Sequence, residues 1–95
     1  MTYSHKNQSR PLSLYILFLV MNEVYRKFPR IRDLREDCDL TQQNVADYLH
    51  CSQSLYAYYE SGKRNLPVDN LIALAKLYNV STDYILGLTD NPSPK

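Results

Sequence analysis

Glycine is scarce in this chain: of 95 residues only Gly62 and Gly87 are glycine, and they stand far apart. No glycine-rich loop can cradle a phosphate chain, which excludes the nucleotide-binding enzymes built on one. Cysteine is as sparse. Cys38 and Cys51 form no disulfide framework, and with His5 and His50 they lack the spacing of a metal site. No carboxylate pair stands in an apolar setting, and no serine, histidine and aspartate suggest a triad. An enzyme is therefore not expected, nor a cofactor. Tryptophan is absent, while tyrosine occurs nine times. An excess of one charge is missing too. The formal net charge is +1, and leaving out residues 1–20, with Lys6 and Arg10, takes it to −1. That balance argues neither for nor against a nucleic-acid partner; only the distribution of charge can. The longest apolar run, Leu12–Met21, is too short for a membrane span of about 20 residues. With Lys6 and Arg10 ahead of it, the run is similar to the charged and apolar regions of a signal peptide. No small-residue cleavage site follows, only Asn22-Glu23-Val24-Tyr25-Arg26. A cytoplasmic chain without a membrane partner is the expectation.

What is present centres on Thr41–Arg64, TQQNVADYLHCSQSLYAYYESGKR. It reads as two short helices, Gln42–Leu49 and Gln53–Ser61. Val45, Ala46 and Leu49 fall on one face of the first, and Tyr56 and Tyr59, with Leu55 beside them, on one face of the second. Thr41 and Ser52 stand where a hydroxyl can cap a helix N-terminus. Gly62 stands where a helix ends in the left-handed conformation. Ala46 is small and central, so another helix can cross close above it. The connector His50-Cys51-Ser52 suits the sharp angle of a helix-turn-helix. The outer face of the second helix carries Gln53, Ser54, Ala57, Ser61 and, at its edge, Tyr58. An ordinary solvated face would carry lysine and glutamate, whereas small and hydrogen-bonding groups suit the edges of bases.

This stretch resembles the helix-turn-helix of the lambda-repressor-like, XRE-type (Cro/repressor) DNA-binding domains. The resemblance rests on Leu40-Thr41-Gln42, Ala46, Leu49, Ser52, Tyr59-Glu60 and Gly62-Lys63-Arg64. It continues through Leu71, Ala75, Leu77, Val80-Ser81 and Ile85-Leu86, covering roughly Arg30 to Leu88. Two positions depart from the pattern. His50 replaces the usual turn glycine, and histidine tolerates positive φ better than most residues. Tyr56 replaces an inward branched aliphatic, so its hydroxyl must find water or a partner.

The resemblance implies an all-α, five-helix domain, here with an extra N-terminal apolar helical segment. It implies double-stranded DNA as partner, a homodimer and no small-molecule site. By the same resemblance, Gln53, Ser54, Ala57 and Tyr58 contact bases. Thr41, Gln42, Ser52, Lys63 and Arg64 contact phosphates, and Arg35 pairs with Glu60 as a structural ion pair. Chemistry supports these roles. Glutamine can bond adenine twice, alanine can touch a thymine methyl, and the backbone N–H groups beside Gln42 form a natural phosphate site. Arg26, Lys27, Arg30 and Arg32 can add to the positive field, or serve only solubility. The bland alternative for the second helix is a polar solvent face.

The chain divides into an N-terminal extension 1–28 with its apolar segment 12–21, a DNA-binding domain 29–88 and a tail 89–95. Residues 1–11 read as loose coil. Leu12–Met21 either forms a helix to about Phe28, burying Tyr15, Leu17, Phe18 and Met21, or precedes a natural start at Met21. Pro29 separates it from a short helix, Arg30–Asp37, with Ile31 and Leu34 inward. A helix from about Pro67 to Tyr78 carries Val68, Leu71, Ala75 and Tyr78 on one stripe, widened by Ile72 and Leu74. Asn79 ends it. Ser81 caps a last helix, Thr82 to about Leu86, which Gly87 stops. The expected core is Ile31, Leu34, Val45, Leu49, Tyr56, Tyr59, Leu71, Leu74, Val80 and Ile85, with Cys51 inward and Tyr48, Tyr78 and Tyr84 half-buried. The leading reading is a sequence-specific regulator of transcription, a repressor foremost. The alternative is a protein–protein adaptor or antitoxin-like module on the same fold.

Overall fold

The computed structural model describes residues 27–94, together with Ser13, Leu14 and Ile16. Along residues 27–94 five helices follow one another: α1 (Pro29–Asp37), α2 (Gln42–Leu49), α3 (Gln53–Ser61), α4 (Val68–Tyr78) and α5 (Thr82–Leu86). No strand occurs among the described residues.

Each boundary has a local cause. Pro29 is the first residue of α1, one residue before the expected start at Arg30. Its ring presets a helical φ and its missing N–H is one the helix would not use. Phe28 is extended, with φ −119° and ψ 91°, as a residue before proline tends to be. The expected N-terminal helix therefore does not reach Phe28. Ser13, Leu14 and Ile16 are helical and exposed, while Tyr15, Leu17, Phe18 and Met21 lie outside the described residues. Thr41 begins α2 with a capping box: its Oγ1 accepts from the Asn44 N–H at 3.0 Å, and Asn44 Oδ1 accepts from the Thr41 N–H at 2.9 Å. His50 closes α2 in the left-handed region, φ 59° and ψ 44°. The turn forms as expected without glycine. Ser52 caps α3 through the Leu55 N–H at 3.1 Å, and Gly62 ends it at φ 85°. Ser81 caps α5 through the Tyr84 N–H at 3.0 Å.

All five helices supply the core: Ile31, Val45, Ala46, Leu49, Tyr56, Tyr59, Leu74, Ala75, Val80 and Ile85. Leu34, Leu71, Cys51, Tyr78 and Tyr84 pack at its margin, partly buried. Tyr56 and Tyr59 meet edge to face, with centroids 6.5 Å apart. Helix α4 departs from expectation. Its inward stripe runs through Leu71, Leu74, Ala75 and Tyr78. Val68 and Ile72 stand about 70° and 110° from the middle of that stripe, and are 69% and 42% exposed. Tyr48 is also more exposed than expected, and its hydroxyl donates to the Ala73 carbonyl at 3.2 Å.

The segment after Gly87 folds back on the domain. Arg30 Nη1 donates to the carbonyls of Tyr84 and Thr89 at 2.7 and 2.6 Å. Its Nη2 meets Asp90 Oδ1 at 2.7 Å, and the guanidinium carbon lies 4.0 Å from the centroid of the Tyr84 ring. The Ser81 N–H donates to the Pro92 carbonyl at 3.1 Å. Arg30 thus holds the C-terminal segment and is not free to add to a phosphate-facing field.

Candidate functional site

The capped turn between α2 and α3 places the start of α3 on the surface. Gln53 and Ser54 are exposed, Tyr58 is 41% exposed, and Ser61 is exposed on the following turn. Ala57 is partly buried and lines an open groove of about 550 Å³ between α1, the start of α2 and α3. Lys27, Arg32, Asp33, Glu36, Gln42 and Ser61 line the same groove. Arg32 is paired with Glu36 at 3.0 Å, so this wall carries mixed charge rather than a field of one sign.

Thr41 and Ser52 are exposed, and each hydroxyl oxygen accepts from a backbone N–H of the helix it begins. Each O–H remains a donor for an outside acceptor. Lys63 and Arg64 follow Gly62 and are exposed. Lys63 Nζ lies 5.5 Å from the centroid of the Tyr58 ring, a cation–π contact. The Arg64 N–H donates to the Tyr58 carbonyl at 3.3 Å. The loop after α3 is therefore held to the helix it leaves.

Beneath this face lies Glu60, 6% exposed. Arg35 Nε donates to its Oε2 at 2.7 Å and Arg35 Nη2 to its Oε1 at 3.2 Å. The Tyr56 hydroxyl donates to Oε2 at 2.5 Å, which gives that inward phenol its partner. Gln42 Nε2 donates to Oε1 at 3.1 Å. Arg35 also donates to the Leu40 carbonyl at 2.9 Å, tying α1 to the loop before α2. Burial alone would raise the Glu60 carboxyl. Hydrogen bonds from Arg35, Tyr56 and Gln42 outweigh it and hold the group below its ordinary value. The Glu60 hydrogen bond in turn pushes Arg35 up.

One link here carries no local signal in the sequence. Gln53 Nε2 donates to Gln42 Oε1 at 2.6 Å, so a base-reading candidate and a phosphate-contacting candidate are joined. Both begin their helices, and only the angle of the turn brings them together. Of the remaining candidates, Ser54 makes no described side-chain hydrogen bond.

Three tyrosines titrate high. Burial is the main cause for Tyr56, Tyr78 and Tyr59, and the Tyr78 hydroxyl is buried without a hydrogen-bond partner among the described residues. A raised folded value favours the neutral phenol. Their contribution to stability is complete below the ordinary tyrosine value of 10.0 and is lost as pH rises above it. Urea unfolding between pH 8 and 11 is expected to show the midpoint falling above about pH 10. Tyr78→Phe should flatten that fall, and an unchanged slope would contradict the assignment.

A protein-family model described as "Helix-turn-helix" matches residues 31–85. The "Uncharacterized HTH-type transcriptional regulator YobD" of Bacillus subtilis (strain 168) is 47% identical over 66 residues, which are 70% of this chain and 59% of YobD. The "HTH-type transcriptional regulator ImmR" of the same organism is 38% identical over 58 residues, 61% of this chain and 46% of ImmR. The "Cryptic phage CTXphi transcriptional repressor RstR" of Vibrio cholerae is 37% identical over 51 residues, 54% of this chain and 46% of RstR. The chain spans about half the length of these curated relatives. No solved structure matches it comparably.

Proposed function

The chain belongs to the lambda-repressor-like, XRE-type helix-turn-helix family, and from that premise we propose that it regulates transcription by binding double-stranded DNA at a specific sequence. Helix α3 enters the major groove. Gln53, Ser54 and Tyr58 meet base edges, and Ala57 approaches from the groove wall. The N-terminus of α2, the free O–H groups of Thr41 and Ser52, and the side chains of Gln42, Lys63 and Arg64 take the phosphates. One observation carries this reading. The exposed outer face of α3 has no charged residue, yet it is flanked by hydroxyl donors on one side and by two cations on the other. Base edges are read by neutral hydrogen-bonding groups, while charge serves the backbone.

Repression is the favoured sign of regulation, since RstR is named a repressor. A homodimer acting in the cytoplasm fits the reading, because two copies would address two half-sites about 34 Å apart. The second reading, a protein–protein adaptor, draws on the exposed apolar side chains of Val68 and Ile72.

Selection from random duplexes, followed by titration of variants, tests the proposal. Gln53→Ala is expected to cost about 1–3 kcal/mol on the best site and to relax preference at one base pair. Lys63→Ala should weaken all sequences alike and reduce the salt slope by about one unit. Paired half-sites in the selected sequence would mark the dimer. If the two variants behaved alike, α3 would not be the reading element.

A further inference from the structure

We propose that the outer face of α4 pairs with the same face of a second copy of this chain, the two helices running antiparallel. The inference gives a surface to the homodimer of the DNA-binding reading, and it rests on that reading only for the dimer's purpose.

Four exposed residues make this face. Val68 is 69% exposed and Ile72 42%, and Asp69 and Lys76 are exposed beside them. Around the helix all four fall within an arc of about 100°, turned away from the stripe that enters the core. Val68 and Ile72 stand one turn apart, so their side chains form one apolar strip. Tyr48, 43% exposed and bonded to the Ala73 carbonyl, widens it on one flank. None of these residues is among those assigned to bases or phosphates.

The two charges choose the occupant. Neither Asp69 nor Lys76 has an ion-pair partner among the described residues. They stand about 20° apart around the helix but about 10 Å apart along it. Within one chain they cannot meet, as charges three or four residues apart would. A copy running the opposite way reverses their order. Lys76 of the second copy then stands across from Asp69, and Asp69 of the second copy across from Lys76. A parallel copy would set each charge against its like. The twofold axis passes beside Ile72, so the Ile72 side chains of the two copies meet at the centre. Val68 packs between Ile72 of the other copy and the apolar stem of its Lys76. The face is thus complementary to itself, as a twofold contact requires. Helix α4 has 11 residues and is about 16 Å long, so the strip buries less than the roughly 800 Å² per partner of a standard interface. Self-association of the free chain is therefore weak. A duplex with two half-sites strengthens it by holding two copies side by side.

The test is mass by light scattering over a concentration series, without DNA. The native chain should pass from monomer toward dimer as the concentration approaches millimolar. Asp69→Lys gives a face with two cations, and Lys76→Asp a face with two anions. Each alone is expected to weaken self-association by about ten-fold or more, because two like-charge contacts replace two opposite ones. An equal mixture of the two variants should associate again, since each then faces its opposite. That recovery is a signature that mere damage to α4 cannot produce. Ile72→Asp, at an exposed position, should remove the dimer at every concentration, and circular dichroism confirms that each variant folds. A native chain that stays monomeric at millimolar concentration would overturn the proposal and leave the face to a different protein. Self-association that survives Ile72→Asp would place the contact elsewhere and overturn it as well, as would a mixture that fails to associate. If random duplexes yield no selected sequence while the mixture still associates, the DNA reading fails and the paired face stands.

Discussion

Glu60→Leu alone is expected to lower the free energy of unfolding by about 3–5 kcal/mol, because it strands a buried guanidinium without its partner. The Arg35 side chain is 11% exposed and that of Glu60 is 5% exposed, so solvent can replace little of the lost contact. Glu60 also receives the Tyr56 hydroxyl and the Gln42 amide, and both would lose an acceptor. Small domains are stable by only about 5–15 kcal/mol, so the single variant should lose a large share of the domain's stability. Arg35→Met with Glu60→Leu should recover much of the loss, since replacing both partners of a buried pair by apolar groups is often nearly neutral. Urea titration of the two single variants and the double variant closes the cycle. Additive losses would mean that the charges do not interact. The native chain carries a matching acid signature. The folded Glu60 value lies below the ordinary 4.5, so its contribution is complete above that value and disappears as pH falls through the lowered one.

The second large effect concerns α4. Leu74→Ala is expected to cost about 2–5 kcal/mol, the range for a buried leucine whose neighbours collapse only partly. Val68→Ala should change stability by less than about 0.5 kcal/mol, as at other exposed positions. Leu74 is 0% exposed and Val68 is 69% exposed, although both were natural members of an apolar stripe by sequence. Thermal unfolding of the two variants side by side checks the contrast. Similar losses would place Val68 in the core and rotate α4 from its described orientation.

That contrast shows where sequence reading holds and where it stops. Helix ends were legible because their causes are local. A hydroxyl before a helix, a proline at its start and a residue tolerant of positive φ at its end each act within a few residues. Thr41, Ser52, Ser81, His50 and Gly62 all occupy such positions. The inward tyrosines were legible from helical spacing. The rotation of α4 was not, because Val68, Leu71, Ile72 and Leu74 are all apolar and only tertiary contact decides which of them faces in. The link from Gln42 to Gln53 depends on the angle of the turn. Arg30 meets groups 54 to 60 residues away, a distance over which periodicity says nothing. Within the candidate site, the residue types and their helix were readable, but the order in which their hydrogen bonds point was not.

The contact between Arg30 and the C-terminal segment has a mechanical consequence. The backbone leaves α5 at Gly87, but the carbonyls of Tyr84 and Thr89 and the carboxylate of Asp90 are fastened to a side chain of α1. Tension applied through a handle at Pro94 would reach α1 and α5 together, two anchorages in parallel rather than one hinge. Anything coupled through this segment would be steered with the first helix as much as with the last. Cutting Arg30 back to alanine would leave the covalent path intact while turning a braced joint into a swivel.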